Sequence, residues 1–451
     1  MDADTTTAHL PTTSTPARRG PSRRQAVAAL AATGGVAALA ACAPGSSGGS
    51  SASGAGGTLR VSTWGNDSRL KLTQQAAAEF EKANPGIKVT VENSEWTNYW
   101  DKLATSTAAN DSPDVIQMDE AYIAAYGSRG ALLDLGTVSS QLDLSEMDAK
   151  MLDTGEVDGT LVGAPIGVGN FSVGVNPAVL EQAGIAMPDD TTWTWEEFAD
   201  TAAQVSAKLG AQGIVGFDGF GTGTAEVGAW VRQFEQEIFP KDGQDAADEA
   251  TVTSYFEYAN QLMTSGATPP ASVQSENSTA ALDASLFATN KAAFHLQFHT
   301  QISAFAAASG TELKLLRLPA QKSGESPRMV NKASMYWSIS ARTKQSENAA
   351  KFVDFMLTDP AATKILTTER GIPAIPSVQA DIEPVLTPQS KIALAFSQAI
   401  ASEVVDPPQV TPAGASAWNT EFTTIGTEQL FGRTKPADAA KSALTTAQGM
   451  V

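Results

Sequence analysis

The chain has 451 residues, a formal net charge of −19, 42% hydrophobic residues and a single cysteine. So acidic a surface repels phosphate backbones, which argues against nucleic acid as a partner but places no bar on a neutral ligand. One cysteine excludes a disulfide within the chain, so burial alone must hold the fold.

The first segment reads as an export signal. Arg23-Arg24 precedes an uncharged, alanine-rich run from Ala26 to Ala41, 16 residues long and broken by Gly34-Gly35. That run is too short and too weakly apolar for a membrane-spanning helix, but it has the layout of a signal peptide. Ser22-Arg23-Arg24-Gln25 resembles a twin-arginine motif, and Leu39-Ala40-Ala41-Cys42 resembles a lipobox, in which Cys42 is lipidated and becomes the mature N-terminus. Residues 43–57 form a flexible Gly/Ser linker, and the G-x-S-x-G match at Gly45–Gly49 inside it has no strand or helix to give it meaning. Residues 1–42 hold four arginines and two aspartates, so the remainder is near −21. Beyond residue 57 there remain 394 residues, enough for two domains with cores of their own.

From there the chain alternates. Leu59–Trp64 reads as a strand. Leu72, Ala76, Phe80 and Ala83 share a helical face, and Asn84-Pro85-Gly86 ends that helix. Ile87–Val91 reads as a strand, Asn98–Thr107 as a helix, Asp114–Met118 as a strand and Ala121–Arg129 as a helix. This β-α-β-α-β-α order predicts a parallel sheet with helices on both faces and a ligand beyond the carboxyl ends of the strands. Those ends are Trp64-Gly65-Asn66-Asp67, Glu92–Trp96 and Asp119-Glu120, where polar and aromatic residues collect. No glycine-rich phosphate loop follows these strands, which argues against a nucleotide. A second α/β unit follows, with strands at Phe171–Asn176, Ile214–Phe217, Lys291–Phe298 and Glu312–Leu318 and helices at Trp195–Leu209 and Glu226–Glu237. From Ser346 on, the pattern is mostly helical.

The order of segments resembles the extracellular solute-binding proteins of sugar ABC importers, the maltose-binding-protein type. The likeness rests on Glu79-Phe80-Glu81-Lys82 with Gly86-Ile87-Lys88-Val89, on Ser112–Ile116 before Arg129–Leu133, and on Gly163-Ala164-Pro165 before Val175-Asn176-Pro177. Further matches are Thr192–Phe198, Phe287 with Asn290–Phe294, Asn348–Val353 and Arg370-Gly371-Ile372-Pro373. The resemblance implies an α/β, two-lobed periplasmic-binding-protein-like fold with the ligand cleft between the lobes. It places lobe 1 at 58–168 plus 333–372 and lobe 2 at 169–332 plus 373–451. Hinges would lie near Val168–Ser172, 330–335 and 370–375. It also implies a monomer, lipid-anchored on the extracytoplasmic face of the cell membrane, that is not an enzyme and delivers a carbohydrate ligand to an ABC permease.

A sugar has an apolar face and a hydroxyl edge, so its site wants aromatic planes with carboxylates or amides beside them. The expected binding residues are Trp64, Asn66 and Asp67 after the first strand, Glu95 and Trp96 after the second, and Asp119 and Glu120 after the third. Asp67 would serve equally as a helix cap. By family position, Phe298, His299, Trp337 and Trp418 join them, and Trp230 is a candidate that also has the spacing of a core residue. Trp193 and Trp195 match a scaffold feature. Maltose-type members carry an acidic group in the first hinge strand. Gly169 or Asn170 stands there instead, which speaks against maltose itself. A secreted glycoside hydrolase, which also needs aromatics and paired carboxylates, stays open as an alternative, as does a binding protein for a non-sugar neutral solute. With three histidines, His9, His295 and His299, and no H-E-x-x-H, no metal or cofactor is expected.

Overall fold

The structure is a computed structural model that describes residues 56–241 and 244–451. The export signal, Cys42 and most of the linker lie outside the described residues.

The alternation expected for the first third is present. β1 (Thr58–Trp64), α1 (Asp67–Ala83), β2 (Lys88–Ser94), α2 (Trp96–Ala108), β3 (Val115–Met118) and α3 (Glu120–Gly127) follow one another. Alternate residues of β1, such as Leu59 and Val61, are fully buried, as period-two patterning requires. Asn66 caps α1 by accepting from the Arg69 N–H, and Gly86, at φ +101°, turns the chain after it. Phe80 of α1 packs its ring 5.2 Å from Phe352 of the helix Ser346–Thr358, so a late helix covers this early sheet.

The chain then runs through β4 (Ala164–Pro165), β5 (Gly167–Gly169) and β6 (Phe171–Val175) with single-residue breaks. α4 (Trp195–Leu209), β7 (Val215–Phe217), α5 (Thr224–Arg232), α6 (Ala271–Thr279), β8 (Ala292–Phe298), β9 (Lys314–Leu316), β10 (Lys332–Ala333), β11 (Tyr336–Ile339), β12 (Ile372–Pro373) and α7 (Trp418–Leu430) come later. α4 starts in a reciprocal capping box: Thr194 Oγ1 accepts from the Glu197 N–H, and Glu197 accepts from the Thr194 N–H. The helix expected over Glu226–Glu237 ends at Arg232 instead, because the chain turns at Glu235 with φ +62°.

Three sheets organise these strands. The first has the order β2-β1-β3-β11-β4, the second β9-β6-β8-β7, and a small third sheet the order β10-β5-β12. The first was expected to be parallel. β1 does pair in parallel with β2 and β3, but β11 joins β3 antiparallel and β4 joins β11 antiparallel. β11 arrives from the third sheet rather than through a helical crossover, so no βαβ handedness rule sets its direction. The third sheet lies where the chain leaves the first sheet for the second and where it returns. Gly167 sits at its centre, and a Cβ there would fall 2.7 Å from the Ile372 carbonyl oxygen. Only glycine fits that approach. The second sheet is packed by an aromatic core. Phe198 lies 5.0 Å from Phe217 and 5.2 Å from Phe294, and Trp193 and Trp195 are both buried beside it.

Candidate ligand cleft

Strand register fixes the floor of a cavity of about 250 Å3. β6 and β8 pair so that Phe171 and Phe298 stand side by side, with ring centroids 5.5 Å apart. Both line the cavity. Trp418, the first residue of α7, lies 5.7 Å from Phe239 in an edge-on arrangement, and these two rings form a second aromatic wall. Bulky rings at the end of a strand and the start of a helix give flat apolar faces without backbone in the way.

The polar side is built around Glu120. It begins α3, and its Oε1 accepts from the Thr411 N–H at 2.8 Å and from the Thr411 hydroxyl at 2.5 Å. Its Oε2 lies 2.8 Å from Lys332 Nζ, and the same ammonium stands 5.6 Å over the Phe298 ring. Burial opposes ionisation of Glu120, yet the Lys332 charge and the hydrogen bonds from Lys332 and Thr411 outweigh it and hold the carboxyl below its ordinary pKa. Burial likewise works against the charge on Lys332, and Glu120 and Asp119 reverse it, so the ammonium is held above its ordinary pKa. Arg232 and Glu237 close another side as a bidentate pair, at 2.7 and 3.1 Å. With each other's charge neutralised, they present a rigid polar edge.

Of the residues expected from sequence, Glu120, Phe298 and Trp418 come together in this cavity. Asp119 caps α3 through the Ala121 N–H at 3.0 Å, and burial raises its pKa despite the nearby Lys332. Trp64, Trp96, Tyr99, Trp100 and Tyr122 form a separate aromatic group at the ends of β1 and β2. Trp64 and Trp96 meet at 5.2 Å, and Trp100 stacks on Tyr122 at 3.8 Å. In that group Trp64 is buried while Trp96 is 42% exposed. Asn66, Asp67 and Glu95 stand exposed beside it at the starts of α1 and α2.

Trp230 sits in the core of the second sheet's helices, 5.0 Å from Tyr258, and gives its indole N–H to Ser254. Trp337 is fully buried in β11, with the Arg370 guanidinium 5.5 Å from its ring. His299 is fully buried. Its Nδ1 accepts from the Asn170 N–H at 2.9 Å, and burial pushes its pKa down to about 4. None of these three lines the cavity. Sequence reading passed over Phe171, Phe239, Lys332, Thr411 and the Arg232–Glu237 pair. Phe171 and Lys332 do fall in the segments expected to cross between lobes, which was the available signal. Thr411 lies in an irregular stretch with no periodicity to mark it.

The sequence profile of a family described as "Bacterial extracellular solute-binding protein" matches residues 75–392. Solved structures share the fold. A family 1 extracellular solute-binding protein from Alicyclobacillus acidocaldarius is 26% identical, with 88% of this chain and 98% of that chain covered and a TM-score of 0.69. A periplasmic oligogalacturonide binding protein from Yersinia enterocolitica, in complex with saturated digalacturonic acid, is 21% identical, with 87% and 98% covered and a TM-score of 0.74. An ABC substrate-binding protein from Listeria monocytogenes, in complex with cycloalternan, is 20% identical, with 88% and 98% covered and a TM-score of 0.73. The architecture is the two-lobed α/β arrangement of periplasmic solute-binding proteins. The chain belongs to the bacterial extracellular solute-binding proteins.

Proposed function

We propose that the protein is a membrane-tethered extracytoplasmic receptor that binds a sugar or oligosaccharide and delivers it to an ABC permease, without turning it over. The observation that carries this reading is the cavity that pairs the rings of Phe171, Phe298, Phe239 and Trp418 with the hydrogen-bonding group of Glu120, Thr411 and Lys332. Rings take the apolar face of a sugar, and the carboxylate edge takes its hydroxyls. Lobe 1 is residues 58–168 plus 333–372, lobe 2 is residues 169–332 plus 373–451, and the small sheet of β5, β10 and β12 is the hinge. Glu120 then belongs to one lobe and Phe171, Phe298 and Trp418 to the other, so a bound sugar favours the closed form by touching both. Asn66, Asp67, Glu95, Trp96 and Asp119 extend the site along the lobe 1 rim for a longer ligand. Cys42 carries the lipid, and the Gly/Ser linker sets the reach from the membrane.

Titration calorimetry against a panel of oligosaccharides, with the products checked by mass spectrometry, tests this reading. Stoichiometric binding with intact sugar and a smaller radius of gyration by X-ray scattering is the expected result. Turnover would make the protein a hydrolase, and binding with an unchanged radius would remove the hinge. Cys42→Ala is expected to release the protein from the membrane fraction, and full retention would end the anchor assignment.

A further inference from the structure

A second cavity, of about 280 Å3, lies beside the second sheet and shares no lining residue with the first. Its polar anchor is set by strand register. β7 runs parallel to β8 with Phe217 opposite Phe294, so the next residues, Asp218 and His295, become neighbours. Asp218 is 2% exposed, and its Oδ2 lies 2.8 Å from His295 Nδ1 and accepts from Asn277 Nδ2 at 3.3 Å. A carboxylate oxygen accepts, so Nδ1 donates to Asp218 and Nε2 is the ring nitrogen left for another partner. Among the described residues, no protein group bonds to that Nε2 or to Asp218 Oδ1. The imidazole cannot swing away. Phe287 stacks on it at 5.4 Å and Phe305 packs at 4.8 Å.

The surroundings narrow the ligand. No lysine or arginine lines the cavity among the described residues, and Glu226 joins Asp218 there, so an anion is repelled. The Gly221 and Gly223 N–H groups and the Tyr255 hydroxyl all donate to Glu226 Oε2 and fix the carboxylate in place. Ser275, Thr222 and Gln301 add groups that donate as well as accept. A hydroxyl can use every one of these groups, whereas an ammonium cannot use the Gln301 Nε2 donor, whose Oε1 is already taken by the Phe298 N–H. Phe431, 42% exposed, offers an apolar rim. The volume matches about nine waters at roughly 30 Å3 each, room for a monosaccharide or smaller.

We propose that this cavity is a second binding site, separate from the cleft, for a small uncharged polyhydroxy compound held by Asp218 and His295. The test is imidazole 15N NMR of the full chain, with the His295 signals assigned from the His295→Gln variant, during titration with glycerol, D-glucose and myo-inositol. A saturable shift of His295 Nε2 is expected with at least one of them. It should persist in the Trp418→Ala cleft variant and weaken at least tenfold in Asp218→Asn. Phe431→Ala, at an exposed position that should not disturb folding, should weaken it severalfold. No saturable shift with any of the three overturns the proposal. So does a shift that vanishes in Trp418→Ala and is untouched by Phe431→Ala, because that signal would originate in the cleft. Loss of oligosaccharide binding by the cleft would end the receptor reading and leave this result standing.

Discussion

Two groups of aromatic rings stand at strand ends in this protein, and they differ in what encloses them. Trp64, Trp96, Tyr99, Trp100 and Tyr122 pack mainly on one another, and their polar neighbours Asn66, Asp67 and Glu95 face solvent. Phe171, Phe298, Phe239 and Trp418 surround a space and share it with a carboxylate already held by two partners. The difference teaches that aromatic residues at strand ends do not enclose a space by themselves. A site needs walls from distant parts of the chain and polar groups oriented before a ligand arrives.

The widest test separates both groups from the core. Trp230→Ala should lower stability by about 3–5 kcal/mol, the usual cost of emptying a buried aromatic position, read as a fall in the urea midpoint at constant slope. A change under about 1 kcal/mol would mean that the ring is not core and would return it to the list of binding residues.

His299 gives the next largest effect. Its folded pKa of about 4 lies below the ordinary 6.5, so below pH 6.5 the unfolded chain binds the proton more readily than the folded one. Stability should therefore be flat above pH 6.5 and fall as pH drops towards 4, by on the order of 3 kcal/mol from this residue. Comparing His299→Gln with wild type by denaturant titration at several pH values isolates that slope. Equal slopes would mean that the imidazole is not held neutral.

The third test sets the two aromatic groups against each other. Trp418→Ala should weaken binding of the cognate oligosaccharide by about 1–3 kcal/mol, or roughly 5- to 150-fold. Trp96→Ala should cost less, about 1 kcal/mol or under, because its ring stands outside the cavity, where only a longer ligand would reach it. Calorimetry on both variants decides it, and an equal or larger loss for Trp96 would break the comparison drawn above. A comparably small effect is expected from Glu120→Gln, which keeps the shape but removes the charge facing Lys332. A loss of about 1 kcal/mol in binding is expected, reduced further in high salt because the pair is partly open to solvent. A salt-independent loss of several kcal/mol would show that Glu120 holds the fold rather than the ligand.

The local parts of this fold were legible. The periodicity around Leu72, Ala76 and Phe80, the stop at Asn84-Pro85-Gly86 and the capping signature at Thr194 and Glu197 are all short-range signals, and the elements stand where they point. Strand direction was not legible for β11, because it depends on where the chain comes from rather than on the residues of the strand. The end of α5 was missed for a similar reason, since nothing in the run from Glu226 announces the left-handed turn at Glu235. The cavity was harder still. Glu120 meets Thr411 across 291 positions of sequence, and no spacing rule reaches that far. Spacing also cannot say which buried ring borders a cavity, so Trp230 and Trp337, which do not, looked the same as Trp418, which does.

The contact between Thr411 and Glu120 has one more consequence. Thr411 already supplies the Glu120 carboxylate with a hydroxyl donor, as a sugar would. A ligand hydroxyl that takes its place exchanges one bond for another of the same kind, and the heat of that exchange is close to zero. The net gain then comes mainly from covering the half-buried rings of Phe171 and Phe298. Calorimetry at several temperatures should therefore find a clearly negative heat-capacity change on binding, with an enthalpy much smaller than the count of hydroxyls would suggest.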